Sequence, residues 1–198
     1  MRRLLVLVAI PFVLAAAGCG GDDDDAAPST SESTAGTSAA EAPTGFAFTG
    51  GDVADGQEID AKYTCDGDNI SPALAWQEVP EGTAELVLVV DDPDAGGDGF
   101  THWVAYGIAP VQTSLEAGIP VAPIASGAIS LKQSPNDAGG YGWTGPCPPG
   151  GETHHYVFTL YALERETGLD EGADPADVLA AVEGHSLGEA TLTALYSH

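Results

Sequence analysis

Asp91-Asp92-Pro93-Asp94-Ala95-Gly96-Gly97-Asp98-Gly99-Phe100-Thr101-His102-Trp103 decides how this chain is read. The residues before it, 85–91, are apolar enough for a buried strand, and a second strand is expected over 101–108. Two carboxylates, Asp92 and Asp94, flank a proline. A glycine-rich turn then leads to His102 and Trp103. Strand, acidic loop, imidazole, strand is a layout that brings carboxylates and a histidine to the ends of adjacent strands. Loops held by a rigid sheet are where binding groups usually sit.

Working outward, residues 155–163 form a strand with apolar groups on both faces, expected to be interior to a sheet. Residues 189–196 alternate cleanly, with Ala190, Leu192, Ala194 and Tyr196 on one face. Between them Asp174-Pro175 starts a helix, the aspartate capping and the proline at its first position. Val178, Leu179 and Val182 are its expected inner stripe, and Gly184 ends it. Earlier strands are expected over 46–49, 59–64 and 73–76, and one over 127–131, with loop from 133 to 140. The Asp66-Gly67-Asp68-Asn69 run lacks the ligand spacing and closing glutamate of an EF-hand, so a plain turn is expected. The fold class is mainly β with one clear helix.

The N-terminus has another purpose. Met1-Arg2-Arg3 is basic, residues 4–17 are apolar but too short for a membrane span, and Ala16-Ala17-Gly18-Cys19 is a small-residue cleavage site ending in cysteine. Residues 1–18 therefore read as a lipoprotein signal, with Cys19 acylated after export. This places the mature chain on the outer face of a membrane. Residues 19–44 are a polar, acidic linker without an aromatic residue, too poor in apolar surface to order itself. Residues 45–198 are one domain.

Thirty Asp and Glu face five Lys and Arg. Removing Arg2 and Arg3 leaves three cations against thirty acids, a net charge of −27. Such a surface excludes nucleic acid as a partner, because that binding rests on neutralising phosphates. With Cys19 lipidated, Cys65 and Cys147 remain in an exported, disulfide-permissive domain. A bridge between them is expected, the alternative being two buried thiols.

The chemistry-bearing candidates are Asp92, Asp94, His102, His154, His155 and Tyr156. No Gly-x-Ser-x-Gly elbow is present for a hydrolase, and no Walker loop for a nucleotide. Adjacent histidines on a strand point oppositely, so His154 and His155 do not share a metal easily. No metal or cofactor is expected. A small polar pocket for a small ligand remains.

Asp92-Pro93-Asp94-Ala95 with His102-Trp103, and Gly145-Pro146-Cys147-Pro148-Pro149 with His154-His155-Tyr156, resemble the phosphatidylethanolamine-binding protein family, in its bacterial "Raf kinase inhibitor-like" branch. Cys65-Asp66-Gly67, Ile70-Ser71-Pro72 and Gly184-His185 add to the likeness, which spans about residues 46–196. It implies a β-sandwich of a large antiparallel sheet and a smaller one. It also implies a pocket for phosphate-like anions and phospholipid head groups. Matched residue by residue, the pocket would be Asp92, Asp94, His102, Gly145, Pro146, Cys147, His154 and Tyr156. Three positions depart from the family pattern: Gly96 stands where proline is usual, Gly107 where asparagine is common, and Ala138 where an aromatic is usual. The expected function is non-catalytic binding of a small phosphorylated or zwitterionic ligand. The alternatives are an inhibitor of a partner enzyme and, behind it, a hydrolase.

Overall fold

The computed structural model describes residues 45–127 and 129–198. The expected leader, Cys19 and the whole linker lie outside them. Strand β3 (Glu85–Asp92) is buried along almost its whole length because its two faces serve two cores. Leu86, Leu88 and Val90 point into one core, while Val87 and Val89 point into the other. The period-2 alternation of a strand makes that division automatic.

β3 sits in a six-stranded antiparallel sheet, between β4 (Phe100–Ile108) and β8 (Thr153–Leu163). Outside β4 lie β7 (Leu131–Gln133) and the short β6 (Ile124–Ala125), and outside β8 lies β9 (Ser186–Ser197). A three-stranded sheet of β1 (Ala47–Gly51), β2 (Leu74–Gln77) and β5 (Ser114–Leu115) makes the second layer. The larger core carries Leu74 and Trp76 from β2 as well as Trp103, Phe158 and Leu192 from the large sheet. The smaller core, on the other face of the large sheet, is closed by helix α1 (Pro175–Val182) through Val178 and Val182.

Several elements differ from expectation for identifiable reasons. Residues 59–64 form no strand. Ile59 pairs briefly with β9, its N–H donating to the Leu195 carbonyl at 2.8 Å. The Asp60 carboxylate then caps a 3-10 turn over Ala61–Tyr63 by accepting from the Lys62 N–H at 2.9 Å. A short acidic side chain that bonds its own neighbouring backbone diverts the chain from a ladder. The strand expected over 127–131 begins only at Leu131 and runs on to Gln133. Gln133 is buried because all its amide groups are used: it accepts from Trp103 Nε1 at 2.8 Å and donates to the Pro120 and Ala122 carbonyls. In α1, Leu179 is 42% exposed rather than buried. At about 100° per residue it is turned a quarter circle from Val178, whereas Val182 returns to the same stripe.

The outer edge of β9 is partly covered by residues 56–59. The Gly56 N–H donates to Thr193 O at 2.7 Å and the Leu195 N–H to Gln57 O at 2.9 Å. Pairing of this kind removes a template for edge-to-edge association.

Cys65 and Cys147 are bridged, with Cα atoms 5.4 Å apart across 82 residues of sequence. Closing so long a loop restricts the unfolded chain, an effect typically worth about 2–4 kcal/mol. Replacing both cysteines by alanine should lower unfolding stability by about that amount in a urea titration. An unchanged midpoint would show that the bridge adds nothing to the fold.

Candidate functional site

Two features of the central strands aim their side chains. The ladder between β3 and β4 pairs Val90 with Trp103 and then Asp91 with Thr101, so His102 is an extra residue, a β-bulge. A bulge lets neighbouring residues of one strand turn to the same side. Here both His102 and Trp103 are buried. At the other end of β4 a second shift falls beside Gly107, whose φ of 70° suits glycine. The chain then leaves β3 at Asp92 into the turn through Pro93 and Asp94.

Asp92 and His154 meet as a nearly sealed pair. His154 Nδ1 lies 2.7 Å from Asp92 Oδ2, both side chains being under a tenth exposed. A carboxylate only accepts, so Nδ1 carries the proton. The other carboxylate oxygen of Asp92 accepts from the Asp94 N–H at 2.8 Å and shapes the turn. Outside it, Asp94 Oδ2 accepts from both the N–H and the Nδ1 of His155, at 2.8 and 2.7 Å. His155 is exposed and its ring points away from His154, as alternation on a strand requires.

His102 is held differently. Its Nδ1 lies 2.7 Å from the Thr144 carbonyl, which can only accept. Phe100, Tyr156 and Trp143 surround the ring, with centroids 4.7, 5.2 and 6.4 Å away. Burial among them pushes its pKa below the ordinary 6.5. His154 moves the other way: its bond to Asp92 outweighs burial and raises its pKa. Of the two rings, His102 therefore resists a proton and His154 favours one.

The third wall is Gly145–Pro149. Gly145 donates to Asn69 Oδ1 at 2.6 Å, Trp143 Nε1 donates to the Tyr63 carbonyl at 3.0 Å, and the Cys65 N–H donates to the Pro146 carbonyl at 3.0 Å. With the disulfide, these bonds fasten an irregular proline-rich segment to residues 63–69. A Cβ on Gly145 would stand 2.4 Å from Tyr63 O and 2.6 Å from Asn69 Oδ1, so only glycine fits.

These walls enclose an open cavity of about 460 Å³. Of the residues expected from the sequence, Asp92, Asp94, His102, Gly145, Cys147 and His154 line it. Pro146 and Tyr156 do not: Pro146 is buried behind the wall, and the Tyr156 ring packs edge-on against His102. The Tyr156 hydroxyl is sealed without a well-formed hydrogen bond, and burial with nearby Asp92 raises its pKa. Trp143 is likewise behind the wall, so the aromatic face of the cavity is Phe100. Sequence reasoning also missed Thr144, Pro148, Pro149 and Glu152 on the lining. Glu152 Oε2 lies 3.5 Å from His154 Nε2 and is well exposed at the mouth. Gly96 and Ala138, two of the departures noted above, also border the cavity. Elsewhere, Cys65, Asp66 and His198 offer ligand atoms within 4.8 Å of one another, but the Cys65 sulfur is spent in the disulfide.

Two outcomes test this geometry. In an NMR titration His102 should titrate below 6.5 and His154 above it, with Asp92→Asn bringing His154 down. The pair's stabilisation is then complete below the unfolded value of 6.5 and lost as pH rises through the folded one. A His154 that titrates at or below 6.5 would contradict the pairing. Gly145→Ala should cost about 1–3 kcal/mol in denaturant unfolding, the usual penalty for overpacking. A cost near zero would mean that the wall can shift.

Comparison with known proteins identifies the family of the fold. The family model described as phosphatidylethanolamine-binding protein matches residues 49–197. A UPF0098 protein of Methanothermobacter thermautotrophicus is 49% identical over 139 residues, covering 70% of this chain and 89% of that protein. A Mycobacterium tuberculosis protein named as a lipoprotein, LppC, is 37% identical over 201 residues, covering 98% of this chain and 96% of its own. Among solved structures, Escherichia coli YbcL, described as a member of the mammalian PEBP family, superposes with a TM-score of 0.70 at 30% identity, covering 77% of this chain and 98% of its own. The PEBP homologue CT736 of Chlamydia trachomatis gives 0.68 at 32% identity, covering 79% and 99%. The two-sheet fold thus belongs to a known architecture, and this chain is a member of the phosphatidylethanolamine-binding protein family.

Proposed function

We propose that the domain is a non-catalytic binding module whose cavity takes a small ligand bearing a phosphate-like anion, and that Cys19 tethers it to the outer face of a membrane. The observation that carries the binding reading is the pairing of Asp92 with His154. Asp92 sits beside the cavity, yet its two oxygens are committed to His154 and to the Asp94 N–H. Its charge is thereby spent on favouring a proton on the imidazole, and a ligand anion would compete with the exposed Glu152, 3.5 Å away, for His154 Nε2. Asp94 is bound to His155 through one oxygen, Oδ2, which accepts from both the N–H and Nδ1. This answers the objection that an anion should avoid a chain with thirty acidic residues. Local donors decide what a half-enclosed cavity binds, because bulk charge is screened beyond roughly 8–10 Å.

The lining suits binding rather than turnover. Among the described residues that line it there is no serine, and its one cysteine is in a disulfide. A serine or thiol nucleophile therefore has no candidate in that lining. The cavity also has an apolar side, from Phe100, Pro148 and Pro149, against which the remainder of a ligand can rest. The tether is supported by the Ala16-Ala17-Gly18-Cys19 sequence and by the likeness of nearly the whole chain to a protein named as a lipoprotein.

Calorimetric titration of the full chain with phosphate, phosphoethanolamine and phosphocholine tests the binding reading. Saturable binding should weaken as pH rises through the raised pKa of His154, and should fall by about tenfold or more in His154→Ala, which removes a charged donor. No binding to any of the three would shift the function to the alternative, recognition of a protein partner. For the tether, Cys19→Ser should release the chain from the membrane fraction. Retention of that variant would refute acylation at Cys19.

A further inference from the structure

The bridge between Cys65 and Cys147 has two neighbours whose chemistry it does not use. Asp66 and His198 each bring a ligand-type atom to the Cys65 sulfur, the three atoms lying within 4.8 Å of one another. Asp66 Oδ2 accepts from His198 Nδ1 at 2.9 Å and from the Tyr196 hydroxyl. The Cys147 sulfur is bonded to that of Cys65 and so belongs to the same cluster. Two sulfurs, an imidazole and a carboxylate therefore meet at one place on the surface. Neither Asp66 nor His198 lines the cavity described above.

In the oxidised protein both sulfurs are spent. Both cysteines are exposed, however, and an exposed bridge is the kind that thiol exchange reaches. A dithiol reductant opens it in two steps. One thiolate of the reductant attacks a bridge sulfur, forming a mixed disulfide and releasing the other cysteine as a thiolate. The second thiolate of the reductant attacks the reductant sulfur of that mixed disulfide and expels the second cysteine. Two electrons pass to Cys65 and Cys147, and the reductant leaves as a disulfide.

Opening the bridge does not scatter the four groups. The Cys65 N–H still donates to the Pro146 carbonyl at 3.0 Å, and Gly145 and Trp143 keep their bonds to Asn69 and Tyr63. His198 is placed by its backbone: its carbonyl accepts from the Gly151 N–H at 3.1 Å, and Ser197 before it pairs with Thr153. The Tyr196 hydroxyl fixes the Asp66 carboxylate from behind. Two thiolates, one imidazole and one carboxylate form a donor set suited to tetrahedral zinc. The acid-rich chain adds a field that favours a cation.

We propose that Cys65, Cys147, His198 and Asp66 form a zinc site in the reduced protein, where the metal replaces the disulfide as the fastening between the Gly145–Pro149 wall and residues 63–69. Loading releases the two thiol protons to water, because zinc takes sulfur as thiolate. The site is independent of what the cavity binds.

The test uses Co2+ as a spectroscopic stand-in on the full chain carrying Cys19→Ser, so that Cys65 and Cys147 are its remaining cysteines. After reduction by a phosphine without oxygen, one equivalent of Co2+ should give thiolate-to-cobalt charge-transfer absorption and the visible bands of a tetrahedral ion. Zinc should abolish both, and the oxidised chain should give neither. His198→Ala and Asp66→Asn should each weaken Co2+ binding by at least about tenfold. Zinc should also raise the urea midpoint of the reduced chain, followed by tryptophan fluorescence, or refold that chain if it has lost its structure. Absence of the charge-transfer absorption would overturn the site. Undiminished affinity in both variants would overturn it too, because the two sulfurs alone would then be holding the ion. A reduced chain that zinc neither stabilises nor refolds would refute the replacement of the bridge by metal.

Discussion

A buried carboxylate and a buried imidazole, 2.7 Å apart, join the end of β3 to the start of β8. Breaking such a pair by removing one partner typically costs about 3–5 kcal/mol, because the other is left charged without compensation. The exposed contact between Asp94 and His155 has the same bond length but lies in solvent, where screening removes most of its value. The inner pair therefore organises the site and the outer one dresses it. Through its second oxygen Asp92 also sets the turn that carries Asp94, so one carboxylate positions both a cationic ring and the loop beside it.

The rest of the architecture supplies rigidity around that contact. β3 is buried on both faces, with the small sheet on one side and α1 on the other, so its end is a fixed point. The bulge at His102 is anchored by the Thr144 carbonyl and by three aromatic neighbours. The proline-rich wall has no regular structure of its own. It is held by a disulfide, a tryptophan N–H and the contact of Gly145 with Asn69. Asn69 itself has a φ of 54°, a left-handed conformation that asparagine tolerates better than most residues. Each fastening spans more than sixty residues of sequence, which is why a loop wall can serve as a site wall.

Much of this was legible in the chain. The acidic loop between two apolar runs, the clean alternation of residues 189–196 and the Asp174-Pro175 helix start are short-range patterns set by backbone geometry, and each matches an observed element. The misread segments were those whose conformation depends on distant partners. Residues 59–64 look like a strand because Ile59 and Tyr63 are both buried, yet a local cap on Asp60 bends them. Gln133 looks like loop, yet it is buried because Trp103 and two carbonyls absorb its amide.

By itself the sequence determined the strands, the family likeness, the pairing of Cys65 with Cys147 as an expectation and the residue types around the cavity, because all of these rest on periodicity, composition and motif order. Only the tertiary structure decided which polar atoms remain available. Tyr156 and Pro146 belong to the motifs but lie behind the wall, whereas Glu152, Thr144 and Phe100 face the cavity. His102 and His154 are the same residue type, yet burial beside a backbone carbonyl disfavours a charge on one, and a buried carboxylate favours it on the other. The charge and tautomer of an imidazole depend on what lies within about 3 Å of each nitrogen, and those neighbours are 42 and 62 residues away along the chain.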